Sequence, residues 1–309
     1  MKIGCIFYWE EMGLLEQKRP IIAPRGAADA GGLGRRRPTG RRAEPPARRG
    51  KAMLHEVKGA LPLRRGLIVL LLTLALVVSA AGAAAAQTLR VGVNAAFPPF
   101  EYIDDETGEY VGFDMALIRE MAARMGMEVE IINTAWDGII PGLLAGHYDV
   151  IISAMTITNE RAQAVDFSDP YFATGQVIVV HAGDDSIQTP ADLAGKVVAV
   201  QIGTTGHFAA ERIEGVASVD HYQFAPEAFL ALKTGRADAV VVDELVAIQE
   251  IRANPGELKV VGQPFTVEYY GIALRKGRED LLRAINRALA QVRADGTYDE
   301  LYRTWILGE

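Results

Sequence analysis

The residues with the clearest chemical potential lie in one stretch, Asp149 to Tyr171, DVIISAMTITNERAQAVDFSDPY. Val150, Ile151 and Ile152 follow a turn-prone Gly146-His147-Tyr148-Asp149 and form a short apolar run, the pattern of a buried strand. Ser153, Thr156, Thr158, Asn159, Glu160 and Arg161 come directly after it. A strand ending in hydroxyls and an arginine places hydrogen-bond donors at the carboxyl edge of a sheet, where open α/β sheets bind ligands. Arg161 is the one cation in the stretch, and its planar fork suits a carboxylate held by two parallel bonds. The plain structural alternative is an N-cap and a helix, with Arg161 a solvated charge.

Other chemistries find less support. No Ser-His-Asp or Cys-His arrangement is present. The five histidines are scattered without metal-ligand spacing, so neither a metal nor a cofactor is expected. Glu101 and Glu160 are the nominees for a general acid, yet neither sits in a paired-carboxylate arrangement. The one cysteine, Cys5, falls outside the expected folded region, which argues against a disulfide there. Charge narrows the partners. Residues 1–86 hold 15 of the 32 Lys and Arg but 6 of the 39 Asp and Glu, leaving 17 basic and 33 acidic residues, a net of −16. So acidic a body excludes nucleic acid, whose phosphates need a basic face.

The elements that must position Arg161 alternate between strand and helix. Leu89–Val93 reads as a strand, Met115–Met125 as an amphipathic helix, Val129–Ile132 as a strand, Gly138–Ala145 as a short helix and Val150–Ile152 as a strand. A second unit begins near Pro190, with a strand at Lys196–Gln201, helices at Thr205–Glu211 and Ala225–Thr234, a strand at Ala239–Val242 and a helix at Glu244–Ala253. Both units close with the same step. Gly146-His147-Tyr148-Asp149 and Gly235-Arg236-Ala237-Asp238 each follow a helix and lead into an apolar strand, the glycine being the expected C-cap. Two α/β lobes follow, each a mostly parallel sheet flanked by helices. Tyr269–Leu274, Asp280–Asp295 and Tyr298–Ile306 are expected to return to the first lobe. The lobes are therefore drawn as 87–180 plus 268–309, and 181–267. Gln176–His181 and Pro264–Tyr269 are then the two crossover strands, and they make a hinge.

The front of the chain has a different character. Residues 1–52 are basic and Pro-rich, and are expected to be disordered or a misannotated extension, with Met53 the true start. Residues 53–86 have the layout of a secretory signal: Lys58, Arg64 and Arg65, then the apolar run Leu67 to Val78, then Ser79 to Ala86. Ala84-Ala85-Ala86 fits a cleavage site, so export and a mature chain from near Gln87 are expected. An uncleaved membrane anchor is the alternative.

Several short segments in order carry a resemblance. In the first lobe they are Phe97-Pro98-Pro99-Phe100-Glu101-Tyr102, Val111-Gly112-Phe113-Asp114, Gly138-Ile139-Ile140-Pro141, Thr156-Ile157-Thr158-Asn159-Glu160-Arg161 and Val165-Asp166-Phe167-Ser168-Asp169-Pro170-Tyr171. In the second lobe they are Gly203-Thr204-Thr205, Arg236-Ala237-Asp238-Ala239 and Asp243; Asp295-Gly296-Thr297-Tyr298 and Trp305 follow near the end. From about Leu89 to Trp305 the chain resembles the bacterial extracytoplasmic solute-binding proteins for polar amino acids that serve ABC importers, the family 3 binding proteins. The resemblance implies the two-lobed, type II periplasmic-binding-protein-like fold and no catalysis. It also implies an amino-acid ligand, a membrane permease as partner, a periplasmic location and a monomer.

It also implies roles. Arg161 clamps the ligand carboxylate, helped by Thr156 and by Thr205, which opens a helix and points a backbone N–H at an anion. Asp243 takes the ammonium, where the residues alone would allow an N-cap for the following helix. Phe97 and Trp136 form aromatic walls. Asn94 and Gln201 face the side-chain end, and Ser153 and Ala154 complete the expected ligand-binding set. Tyr148, Phe167 and Tyr171 are read as packing. A polar ligand such as glutamine fits the neutral Asn94 and Gln201, while Trp136 equally suits a guanidinium. The alternative function is a periplasmic dehydratase of the cyclohexadienyl type, acting on prephenate-like acids on the same fold.

Overall fold

Leu89, Val91 and Val93 are fully buried on one face of strand β1 (Gln87–Val93), and Gly92 on the other is buried under Tyr148, as in a parallel strand covered on both sides. The computed structural model describes residues 87–309, so the expected extension and signal lie outside the described residues. A small antiparallel meander follows: β2 (Ala96–Phe97), β3 (Glu101–Ile103) and β4 (Tyr110–Val111). Helix α1 (Phe113–Arg124) buries Phe113, Leu117, Ile118 and Met121, at helical spacing. Strand β5 (Met127–Asn133), a single 3₁₀ turn at Trp136–Gly138, α2 (Ile139–Ala145) and β6 (Val150–Ile151) complete the first run. Next come α3 (Asn159–Ala164), β7 (Val165–Phe167), β8 (Phe172–Thr174) and β9 (Gln176–His181).

The second run contains β10 (Val197–Gln201), α4 (Thr205–Glu211), β11 (Ser218–Tyr222), α5 (Ala225–Lys233), β12 (Ala239–Asp243), α6 (Glu244–Ala253) and β13 (Leu258–Val261). The chain then returns through β14 (Glu268–Tyr270), β15 (Ala273–Arg275), α7 (Glu279–Ala294) and α8 (Thr297–Tyr302). Lobe 1 is built on the sheet β5-β1-β6-β15-β7 and lobe 2 on β11-β10-β12-β9-β13. In each, three neighbouring strands run parallel and the fourth is antiparallel. Helix α7 lays Ile285, Leu289 and Val292 on the lobe 1 core, each such burial stabilising by about 1.5–3 kcal/mol.

The repeated step between helix and strand has one physical cause in both lobes. Gly146 and Gly235 take left-handed φ values of 83° and 72°, which a glycine adopts without a Cβ clash. Three residues later an aspartate ties the new strand to its parallel neighbour. The Asp149 N–H donates to the Arg90 carbonyl while its Oδ2 accepts the Arg90 N–H; Asp238 does the same with Val197.

The crossover differs from expectation. Gln176–His181 is the fourth strand of the lobe 2 sheet, antiparallel to β12 and β13, so the expected first-lobe range 87–180 runs into lobe 2. The strands that cross are β8 and β14, paired antiparallel with Glu268 opposite Thr174. Periodicity marks Gln176–His181 as a buried strand but carries no information on which sheet receives it. The expected single strand Tyr269–Leu274 is two, β14 in the hinge and β15 in lobe 1.

Candidate functional site

The cleft between the lobes is bounded by the carboxyl ends of parallel strands, as elements of this kind require. Asn94 follows β1, Trp136 follows β5, Ser153 follows β6, Gln201 ends β10 and Asp243 ends β12. These residues line one cavity together with Phe97, Glu101, Ala154, Thr156, Arg161, Thr204 and Thr205. The ten residues singled out from sequence are thus brought to one place. Glu101 and Thr204 are additional, and Tyr148 and Tyr171 are buried packing residues outside it.

Arg161 sits in the first turn of α3, whose N-cap Thr158 accepts the Arg161 N–H at 3.1 Å. Its guanidinium donates to the Thr156 carbonyl at 2.8 Å and, across the cleft, to the Gly203 carbonyl at 3.2 Å. It also lies 5.3 Å from the Trp136 ring centroid, a cation–π contact. Two carbonyls and a ring fix the fork while leaving further N–H groups for a carboxylate. Burial lowers its pKa, and Glu268 and Asp243 act against that shift.

Asp243 occupies the N-cap position of α6, but its side chain makes no capping bond. Its Oδ1 accepts the Tyr270 hydroxyl at 2.6 Å instead. Burial, followed by repulsion from Glu268, pushes the carboxyl up to about 7, against hydrogen bonds from Tyr270 and Gln176 and the attraction of Arg161. A buried carboxyl so poised gains most from a cation beside it.

The floor holds a pair of acids that sequence reasoning missed. Ser153 donates to Glu101 Oε1 at 2.7 Å and accepts the Asn94 N–H at 2.9 Å. Asp114 Oδ2 accepts the Tyr171 hydroxyl at 2.6 Å and the Ala154 N–H at 2.7 Å, where Ala154 holds a left-handed φ of 46°. The other oxygens, Glu101 Oε2 and Asp114 Oδ1, have no donor among the described residues. Burial and the neighbouring Asp114 raise Glu101 well above the carboxylate range, and burial raises Asp114 to about 7. Two such acids share a proton. Glu101 therefore does sit in a paired-carboxylate arrangement, contrary to the sequence expectation. Asp114 had read as an ordinary first-turn acid of α1.

Among the described residues, His207, Glu211 and His221 also converge, with ligand atoms within 4.8 Å of one another. His207 and Glu211 are one helical turn apart on α4, and β11 brings in His221, which sequence spacing did not reveal. The Gly203 N–H donates to His207 Nδ1 at 3.1 Å, which leaves the ring proton on Nε2, 3.1 Å from Glu211 Oε1. With Nδ1 already accepting, His207 could ligate only through Nε2, and a histidine that does so ordinarily donates from Nδ1. His207 braces the Gly203 loop instead.

Glu268, also unrecognised in the sequence, stands behind the cavity. Its Oε2 accepts the hydroxyls of Thr156 at 2.8 Å and Thr205 at 2.7 Å.

Arg161 and Asp243 thus line the same cavity from different lobes, in a chain with clear relatives among known proteins. Residues 89–308 match the family described as bacterial extracellular solute-binding proteins, family 3. The chain belongs to that family. The L-cystine-binding protein TcyJ of Escherichia coli K12 is 37% identical over 221 residues, covering 71% of this chain and 82% of TcyJ. Among solved structures, an ancestral arginine-binding protein bound to arginine is 49% identical with a TM-score of 0.68, covering 71% of this chain and 97% of that one. A second structure of an ancestral arginine-binding protein holds glutamine, at 48% identity, a TM-score of 0.68 and coverage of 71% and 97%. The ancestral amino-acid-binding protein AncCDT-1, a precursor of cyclohexadienyl dehydratase, is 43% identical with a TM-score of 0.67, covering 71% and 95%. These solute-binding proteins have the same two-lobed type II fold of mixed sheets and flanking helices.

Proposed function

We propose that this chain is the exported, periplasmic ligand-binding component of an ABC importer, and that its ligand is an amino acid with a cationic side chain, as arginine has. The observation that carries the reading is the placement of Arg161 on lobe 1 and Asp243 on lobe 2, lining one cavity. A zwitterion presents a carboxylate and an ammonium on one carbon, and each meets an opposite charge there. Closure of the lobes then follows from contacts that the ligand makes to both. The closed form docks on a membrane permease, and the binding protein acts as a monomer.

Hydrogen-bond capacity at the other end supports the cationic side chain. Gln201 Nε2 donates to Asn94 Oδ1 at 2.9 Å and to the Gln223 carbonyl at 3.0 Å, so both its N–H groups are engaged. Asn94 Nδ2 donates to the Thr134 carbonyl at 2.9 Å, and Ser153 gives its proton to Glu101. What remains is acceptor capacity on Gln201 and Glu101 against a single N–H of Asn94. A guanidinium has five donors and no acceptor, whereas a glutamine amide also needs a donor for its carbonyl. Isothermal titration with a panel of amino acids tests this, with arginine expected to bind more tightly than glutamine. Absence of binding by any amino acid would overturn the reading.

A second reading has one observation of its own: Glu101, a buried acid with a raised pKa, lines the cavity as a general acid must. It is the dehydratase reading, and incubation with prephenate, followed by ultraviolet absorbance, separates the two. Product formation favours the enzyme, and an unchanged spectrum beside tight arginine binding favours the transporter.

A further inference from the structure

Glu268 opens β14, one of the two strands that cross between the lobes, and its side chain is buried. One oxygen, Oε2, takes a hydroxyl from each lobe, Thr156 on lobe 1 and Thr205 on lobe 2, and the Gln176 amide of lobe 2 at 3.4 Å. Its other oxygen accepts the Thr266 hydroxyl at 2.9 Å. The two threonine oxygens are themselves 3.4 Å apart, so the carboxylate oxygen sits at the junction where the lobes meet. Both threonines line the cavity and Glu268 does not. It acts on the site from the hinge side.

We propose that Glu268 is a positioning residue for ligand capture: a hinge-borne carboxylate that clasps the ligand-facing threonines of both lobes as they close. The proposal rests on the reading of the cavity as an amino-acid site. Its physics is simple. Rotation about β8 and β14 moves Thr205 away from Thr156, and a single oxygen cannot follow both. Opening therefore exchanges at least one charge-assisted hydrogen bond for water, and closing restores it. The clasp also fixes each hydroxyl rotor, because the single proton of Thr156 and of Thr205 points to Glu268. With both hydroxyl protons committed to Glu268, Arg161 and not the threonine hydroxyls supplies the side-chain donors for the ligand carboxylate, a departure from the helping role expected of Thr156 and Thr205.

The test is the distance between the lobes. Spin labels at Glu128→Cys in lobe 1 and Glu214→Cys in lobe 2, both exposed, with Cys5→Ser, report open and closed populations by electron–electron double resonance. Glu268→Gln is expected to lower the closed-to-open ratio about tenfold, the weight of one hydrogen bond to a charged group. Thr205→Val leaves the hinge strand intact and is expected to do the same, and the double variant is expected to lose no more than either alone. An unchanged ratio in Thr205→Val, or two effects that multiply, would overturn the clasp. The same samples with arginine added separate the two readings. A wild-type distribution that arginine leaves unmoved counts against the amino-acid site, whereas variants matching the wild type count against Glu268.

Discussion

Arg161 and Gly203 stand on opposite lobes, and the Arg161 Nη2 donates to the Gly203 carbonyl at 3.2 Å across the cleft. The same guanidinium holds the Thr156 carbonyl of its own lobe, so one planar group serves both walls and still has N–H groups to spare. Lysine has a single ammonium and cannot span those partners. Arg161→Ala is expected to weaken amino-acid binding by about 2–5 kcal/mol, the range for truncating one member of a buried charge pair. Arg161→Lys is expected to recover part of the loss at most. Isothermal titration of both variants checks this, and wild-type affinity in Arg161→Ala would remove the clamp.

Asp243 is expected to make ligand binding depend on pH. Its carboxyl is raised to about 7, so a proton competes with the ligand ammonium in the physiological range. The sign follows. Below about pH 7 the neutral acid prevails and affinity is expected to fall about tenfold per unit of pH. Above it, affinity levels off. Tyr270 lowers the Asp243 pKa through its hydroxyl, so Tyr270→Phe is expected to move the midpoint upward. Asp243→Asn is expected to bind weakly with a flatter profile. Titrations from pH 5 to 9 read all three.

Much of this site is legible in the sequence because each strand announces its own end. An apolar run followed by a polar residue marks a carboxyl edge, and Asn94, Ser153, Gln201 and Asp243 all stand there. Glu268 lies in no such pattern. It sits between Val267 and Tyr269, and only the tertiary placement of β14, bridged through Tyr270 to Thr156, sets it against two threonines. Asp114 looks like a first-turn acid favoured by the helix dipole, and only the packing of α1 beneath β3 brings it to Glu101. The lobes are legible for the same reason as the strand ends, since helix, Gly, Asp and strand recur in order. The hinge is not, because Gln176–His181 has the composition of any buried strand.

The Glu101 and Asp114 pair predicts how stability responds to pH. Both acids have pKa values raised on folding, so the folded state holds more protons than the unfolded chain in the acid range. Their stabilising contribution is complete below the unfolded carboxyl pKa and is lost as pH rises through the folded values, near 7 for Asp114. Thermal unfolding of the ligand-free protein is therefore expected to show a falling midpoint from pH 5 to 8.5. Glu101→Gln keeps an acceptor for Ser153 and offers Asp114 an amide donor in place of a shared proton. Its midpoint is expected to vary less over the same range. A variant slope equal to the wild-type slope would place the proton elsewhere.

Gln201 ties lobe 2 to Asn94 of lobe 1 and contributes an acceptor to the cavity, where it is expected to face the ligand side chain. Gln201→Lys replaces that acceptor with a cation. Two like charges about 5 Å apart, at an effective dielectric of about 20, repel by about 3 kcal/mol. Arginine affinity is therefore expected to fall by roughly two orders of magnitude in Gln201→Lys. Glutamine carries no side-chain charge and its carbonyl can accept from the new ammonium, so its affinity is expected to change less. The informative quantity is the ratio of the two dissociation constants, measured by titration on wild type and variant. A ratio that stays constant while both affinities drop would mean that Gln201 supports closure without sensing the side chain, and would remove the charge-based account of selectivity.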